Sequence, residues 1–182
     1  MLMLTLCCSL ATSGLFGQDP AGQPIPEWLT AKWAEQTQND GTWLADNSKY
    51  QSVQEPFDVY GIQWEYGLGK KHLKGRLYAL RDGKEVGTIW SFTEFWDPRN
   101  AVVRIVQLGS DGTLGQGTLW READGSTKEQ QLFVSPQGPF FETGHHAWME
   151  DGAQHTRSYR IADGKWEEHR HYIWQLQASN GK

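Results

Sequence analysis

Residues His72–Phe95 read HLKGRLYALRDGKEVGTIWSFTEF, two strand-like runs joined by Asp82-Gly83. Asp-Gly is the strongest short-range hairpin signal, because both central positions of a type I′ turn need positive φ and these residues tolerate it best. The dipeptide recurs at Asp111-Gly112, Asp124-Gly125, Asp151-Gly152 and Asp163-Gly164. Of the four intervals, the two long ones each hold a further turn, Asp97-Pro98-Arg99-Asn100 and Ser135-Pro136-Gln137-Gly138-Pro139. Such spacing predicts a meander whose consecutive strands are sheet neighbours.

Between the turns lie ten expected strands. The first five are Thr42–Gln51, Asp58–Tyr66, His72–Leu80, Lys84–Phe95 and Val102–Leu108. Leu114–Arg121, Lys128–Val134, Phe140–Met149, His155–Ile161 and Trp166–Leu176 complete the set. Only Ile25–Gln36 reads as helix, with Pro26 and Glu27 in its first turn and Trp28, Leu29, Trp33 and Gln36 approximating one face. A meander this long must close or split into two sheets, and closure removes exposed edges. The expected fold is all-β, a single antiparallel up-and-down barrel of about ten strands, with the short N-terminal helix as a plug or lid.

Composition agrees with one such domain. The chain has 182 residues, 20 Gly and 23 aromatics (10 Trp, 6 Tyr, 7 Phe), which suits a twisted sheet with aromatic filling and glycine turns. Seventeen Lys+Arg against 22 Asp+Glu give a net charge of −5. There is no basic stripe, so no nucleic-acid partner is expected.

Residues 1–18 form a separate segment. Met1–Leu10 (MLMLTLCCSL) is apolar and uncharged, and small residues Ala11–Gly14 precede Gln18-Asp19-Pro20. That layout is expected for a secretory signal peptide, cleaved after Ser13 or nearer Gln18, and the run is too short for a transmembrane span. Cys7 and Cys8 are the only cysteines. They raise lipid attachment as an alternative. Cleavage beyond them leaves no disulfide and no thiolate chemistry. Residues 19–40 then form a linker with the helix, and 41–178 the barrel. A secreted or periplasmic location follows as an expectation.

The stretch Trp64-Glu65-Tyr66-Gly67-Leu68-Gly69-Lys70-Lys71, then Lys84–Phe92 running into Phe95-Trp96-Asp97-Pro98, resembles the uncharacterised bacterial lipocalin-like (calycin-type) barrel proteins. The resemblance spans Gly41 to Leu176 and rests on turn rhythm and aromatic placement. It implies an antiparallel barrel holding a small ligand and transfers no catalytic residue. Ten strands without a C-terminal helix depart from the typical eight-stranded lipocalin and stand closer to the fatty-acid-binding and nitrobindin-like branches.

Alternation of faces along a strand assigns the interior. Tyr60, Ile62, Trp64 and Tyr66 share one face of the second strand, and Val86, Trp90, Phe92 and Trp96 share one face of the fourth together with Glu94. In the last strand Trp166, Glu168, Arg170, Tyr172, Trp174 and Leu176 have one parity. Gln116 and His146 are further candidates for the interior. Burying a lone carboxylate or guanidinium costs several kcal/mol, of order those for buried ions. The functional reading is a cavity with aromatic walls and Glu94 or Arg170 as anchor. Its candidate ligand contacts are Tyr60, Trp64, Trp90, Glu94, Arg170 and Tyr172, and its partner is a small apolar or amphipathic molecule. Two other readings stay open: an internal Glu94–Arg170 pair, and a bulge that reverses parity and sends both to solvent.

His169-Arg170-His171 places two imidazoles on one strand face, a workable metal spacing. Parity puts them outside, and no Glu follows, so surface histidines are expected and neither metal nor cofactor is assigned. No G-x-S-x-G, phosphate loop, H-E-x-x-H or acidic Ca²⁺ loop occurs, and no catalytic residue is assigned. Gly112–Gly117 reads as turn and bulge glycines. Two competitors to ligand binding remain. One is an enzyme using Glu94 as proton acceptor with Arg170 or a Tyr stabilising negative charge. The other is an interaction module presenting Val59, Ile89 and Phe95 outward.

Overall fold

In the computed structural model, which describes residues 22–179, each Asp-Gly pair turns the chain between antiparallel neighbours. The turns are of two kinds. At Asp82-Gly83, Asp151-Gly152 and Asp163-Gly164 both residues have φ between 50° and 78°, the expected I′ geometry. At Asp111-Gly112 and Asp124-Gly125 only the glycine is left-handed. There the Asp carboxylate accepts from the backbone N–H and hydroxyl of Thr113 or Ser126. A Ser or Thr two residues on gives Asp a local partner, so the chain takes a longer, side-chain-capped turn at these two sites.

The ten strands are β1 (Thr42–Asp46), β2 (Val59–Tyr66), β3 (His72–Arg81), β4 (Lys84–Asp97) and β5 (Val102–Gly109), followed by β6 (Leu114–Arg121), β7 (Thr127–Val134), β8 (Phe141–Glu150), β9 (Ala153–Ala162) and β10 (Lys165–Leu176). Each pairs with its chain neighbour, and β1 also pairs with β10, so the meander closes into a barrel. The main departure from the expected boundaries is β1, which stops at Asp46 and not at Gln51. Asp46 accepts from the N–H and hydroxyl of Ser48, diverting residues 47–58 into a loop across one end, the mouth. The apolar, charge-free segment Met1–Leu10, with Cys7 and Cys8, lies outside the described residues.

The other end, the floor, is closed by α1 (Glu27–Gln36). Pro26 is its N-cap, and the Pro26 carbonyl accepts from the N–H groups of Leu29 and Thr30. The buried residues Leu29, Trp33 and Gln36 lie on one face. Leu29 and Trp33 are 0% exposed and join Trp43, Trp64, Leu73, Leu119 and Trp174 in the core. Full burial of such a side chain contributes about 1.5–3 kcal/mol. Asn39, Asp40 and Gly41 then turn the chain in left-handed conformations. Gly41 is required on two counts: its φ is +68°, and a Cβ would stand 2.1 Å from the Trp64 carbonyl oxygen.

Three bulges decide which side chains enter the barrel. The β3–β4 register shifts twice, passing over Ile89 and Val86, and the β9–β10 register passes over His169. Each extra residue reverses the alternation beyond it. Val86, expected inside, is 51% exposed, whereas Ile89, expected on the outer face, lines the interior. Trp166 and Glu168, expected inside with Arg170, lie outside: Trp166 packs beside Tyr159, and Glu168 faces Arg157. Arg170, Tyr172 and Trp174 follow the third bulge and keep the inward face.

Gly115 and Gly117 are not bulge glycines, since β6 pairs in unbroken register with β5 and β7. They face inward and leave space for the Phe133 ring and the Gln131 side chain, into which a Cβ would intrude.

Candidate functional site

The barrel encloses a cavity of about 1210 Å³ that runs from Lys32 and Glu94 at the floor to Phe140 and Arg160 at the mouth. All six sequence-expected contacts, Tyr60, Trp64, Trp90, Glu94, Arg170 and Tyr172, line it. One part of its wall is aromatic. Trp64 lies against Phe92 with centroids 5.6 Å apart, and Trp90 meets Phe133 edge-on at 5.5 Å. Gly75 makes the first pairing possible, because its missing Cβ is the space the Trp64 ring occupies.

Glu94 and Arg170 enter the same cavity but belong to separate polar clusters. At the floor the Glu94 carboxylate, 1% exposed, accepts 2.6 Å from the Trp33 indole N–H and 2.8 and 3.1 Å from Lys32 Nζ. Lys32 also donates to Gln36 Oε1 at 2.9 Å. A buried carboxylate is tolerated when its charge and lone pairs are met in this way. The helix therefore supplies the partners of Glu94, and a direct Glu94–Arg170 pair does not form.

At the mouth Arg170 donates two hydrogen bonds to Glu55, at 2.5 and 2.6 Å, and a third to the Tyr172 hydroxyl at 3.0 Å. Tyr172 donates in turn to Asn47 Oδ1 at 2.7 Å, and Tyr60 donates to Glu55. The Arg170 bonds hold the Glu55 carboxyl below its ordinary pKa, overriding the upward effect of its partial burial. Burial and the Glu55 bond push the Tyr60 hydroxyl up, and burial does the same at Tyr172. Both phenols are neutral donors near pH 7. The network fastens the loop over the mouth to β10.

A third group escaped the sequence reading. Glu129 on β7 and His145 on β8 are cross-strand partners with both side chains inward, and His145 Nδ1 lies 2.7 Å from Glu129 Oε1. Gln131 donates to the same carboxylate at 2.7 Å. Burial pushes the Glu129 pKa up, but His145, Gln131 and Lys32 outweigh it and leave the carboxyl below its ordinary value. Odd-numbered residues of β7 and β8 face inward, a parity that Phe133 and Ala147 announce in sequence. The same parity corrects His146, which bonds Ser126 on the outer side, and on β6 the inward Leu119 leaves Gln116 exposed. Glu55 carried no signal, because loop residues have no parity.

The H-x-H pair is divided by the third bulge. His169 lines the mouth, while His171 lies outside, with Nε2 3.3 Å from His155 Nδ1 and Trp148 stacked on both rings. Among the described residues no group of three or more His, Cys, Asp or Glu side chains is placed to hold a metal ion. No helix among them is long and apolar enough to cross a membrane. No family model, curated protein or solved structure matches the chain.

Proposed function

We propose that the protein binds a small, largely apolar ligand inside the barrel, as a secreted or periplasmic carrier of the lipocalin-like kind. The cavity carries this reading: at about 1210 Å³ it exceeds the roughly 300–1,000 Å³ of common small-molecule sites. Protein interiors are otherwise packed to the density of organic crystals, so a void of this size lined by Trp64, Trp90 and Phe92 is space for a guest. Secretion rests on the apolar segment Met1–Leu10 and the small residues after it. The calycin-type assignment rests on turn rhythm, to which strand count and closure add support.

An acid–base enzyme built on Glu94 is not favoured, because that carboxylate is fully engaged by Lys32 and Trp33. A role for the outer wall as a protein-binding face draws on Leu108, Leu132 and Val134, which are 52%, 47% and 40% exposed, rather than on Ile89. Native mass spectrometry of protein purified from its own source, combined with titration of an apolar naphthalene fluorophore, tests the ligand reading. A retained small molecule or saturable one-to-one binding of the fluorophore is expected. Absence of both overturns the reading.

A further inference from the structure

The cavity has two unlike sides. In a closed barrel of ten strands in this order, β4 and β9 stand five strands apart in either direction, so they face each other across the lumen. From β4 the lumen receives Ile89, Trp90, Phe92 and, at the floor, Glu94 paired with Lys32. The inward-alternating residues Gln154, Thr156, Ser158 and Arg160 of β9 line it from the opposite side and are all polar; Tyr159, Ile161 and Ala162 join the lining at the mouth end. The difference extends to the neighbouring strands. Ile62, Trp64 and Leu77 on β2 and β3 flank the aromatic side, while Thr143 and His145 on β8 and Arg170 on β10 flank the polar one, which Ala147, Tyr172 and Trp174 border toward the floor.

The polar side also holds unmet hydrogen-bonding capacity. Five buried polar side-chain atoms have no hydrogen-bond partner among the described residues, and three of them, Gln131 Oε1, Thr143 Oγ1 and His145 Nδ1, sit on the inward faces of β7 and β8. His145 Nδ1 nonetheless lies 2.7 Å from Glu129 Oε1, so the unmet capacity rests on Gln131 Oε1 and Thr143 Oγ1. A buried polar atom left without a partner costs about 1–3 kcal/mol. Thr143 and Ser158 flank His145, one two residues along β8 and the other its cross-strand partner on β9. Together they form a small patch of donors and acceptors facing an aromatic wall.

We infer that the ligand is a flat ring compound with hydroxyl groups along one edge, one face stacking on the Trp64, Trp90 and Phe92 side and the hydroxyl edge meeting Thr143, His145 and Ser158. This inference rests on the ligand-binding reading above and narrows it. A fatty acyl chain, polar only at its head, leaves the length of the β9 side unmatched, so every buried hydroxyl there loses its water without gaining a partner. A ring edge bearing hydroxyls satisfies these groups, while the ring faces gain offset stacking on the opposite wall.

The test compares 5,7-dihydroxyflavone, flavone and palmitate by isothermal titration, with wild type and with Thr143→Val and Ser158→Ala, each checked for folding by circular dichroism. The dihydroxyflavone is expected to bind at least tenfold more tightly than flavone and palmitate. That preference over flavone is expected to fall below about threefold in either folded variant. If flavone binds as well as its dihydroxy form, or palmitate binds best, the sided-cavity inference fails and the ligand reading survives. If none of the three binds and the naphthalene fluorophore does not either, the ligand reading itself fails. A wild-type preference that persists in both folded variants overturns the assignment of the hydroxyl edge to this patch.

Discussion

The indole N–H of Trp33, on the helix that closes the floor, donates a 2.6 Å hydrogen bond to the buried carboxylate of Glu94 on β4. One helix residue thus adds both apolar packing and a polar partner. Lys32, its neighbour, adds the counter-charge at 2.8 Å. The plug is keyed to the barrel by a charged contact that only one seating of the helix satisfies, and this restricts how α1 can dock.

Glu94→Gln is therefore expected to destabilise the protein by about 3–5 kcal/mol, because Lys32 and the Trp33 indole lose a buried anion while the shape is preserved. Adding Lys32→Met removes the stranded ammonium and should restore about 1 kcal/mol or more. Combining Glu94→Gln with Arg170→Met should give simple additivity, since the two residues share no partner. Guanidinium midpoints of the single and double variants check all three values. Strong coupling between Glu94 and Arg170 would contradict the two-cluster arrangement.

Two glycine replacements separate space from conformation. A Cβ at Gly117 would stand 1.9 Å from the Gln130 carbonyl oxygen, whereas at Gly83, with φ +71°, it would meet nothing within 4 Å. Gly117→Ala is expected to cost about 3 kcal/mol or more through a backbone clash in the wall. Gly83→Ala should cost about 1–2 kcal/mol for the left-handed conformation alone. Urea unfolding of both variants checks the order, and the reverse order would show that the wall between β6 and β7 yields more easily than the turn.

The difference between the two glycines also shows what the sequence could convey. Turn dipeptides and apolar runs are local signals, so ten strands, their order and the plug helix were legible from residues close together in the chain. The interior was legible where a strand was regular: Tyr60, Trp64, Trp90, Glu94, Arg170 and Tyr172 all line the cavity as parity required. It failed at Val86, Ile89, Trp166 and Glu168, because a bulge is set by pairing with the neighbouring strand, which no local pattern records. The partners of Arg170 and Glu94 were illegible for a similar reason. Glu55 and Lys32 lie 115 and 62 residues from them in the chain, on a loop and a helix whose docking is a tertiary result.

Loss of stability on mild acidification is expected from three histidines, His146 and His171 on the outer wall and His169 at the mouth. Burial, then the neighbouring Arg157 and His155, pull the His171 pKa below its ordinary 6.5, and burial leads the same downward shift at His146 and His169. The folded state then binds fewer protons than the unfolded one, so stability is fully present above about pH 6.5 and falls as pH drops toward the folded values. Thermal midpoints between pH 7.5 and 5 should decline, and His171→Gln should make that decline shallower. An unchanged slope in the variant would remove His171 from the account.

The Glu55–Arg170 pair is expected to control the loop over the mouth. Both side chains are partly exposed, at 20% and 24%, so the contact is weaker than a fully buried ion pair but stronger than a surface one, because it is bidentate and shares Tyr60 and Tyr172. Glu55→Gln and Arg170→Met should each destabilise by about 1.5–3 kcal/mol, the range for hydrogen bonds to charged groups. Their double-mutant cycle should show coupling of about 1 kcal/mol or more. The pair also has a pH signature. Arg170 lowers the Glu55 pKa in the folded protein below its ordinary 4.5, so the stabilisation is complete above pH 4.5 and disappears as pH falls through the lowered value. The same cycle measured at pH 7 and at pH 3 should therefore show coupling that shrinks on acidification. Because the pair fastens residues 47–58 and not the barrel wall, hydrogen exchange in both single variants should quicken at Asn47 and Tyr50, whose N–H groups bond Asp58 and Asn47 carbonyls, while β5 and β6 stay protected. Exchange that quickens uniformly around the barrel would mean that Glu55 and Arg170 support the whole fold and not the mouth loop.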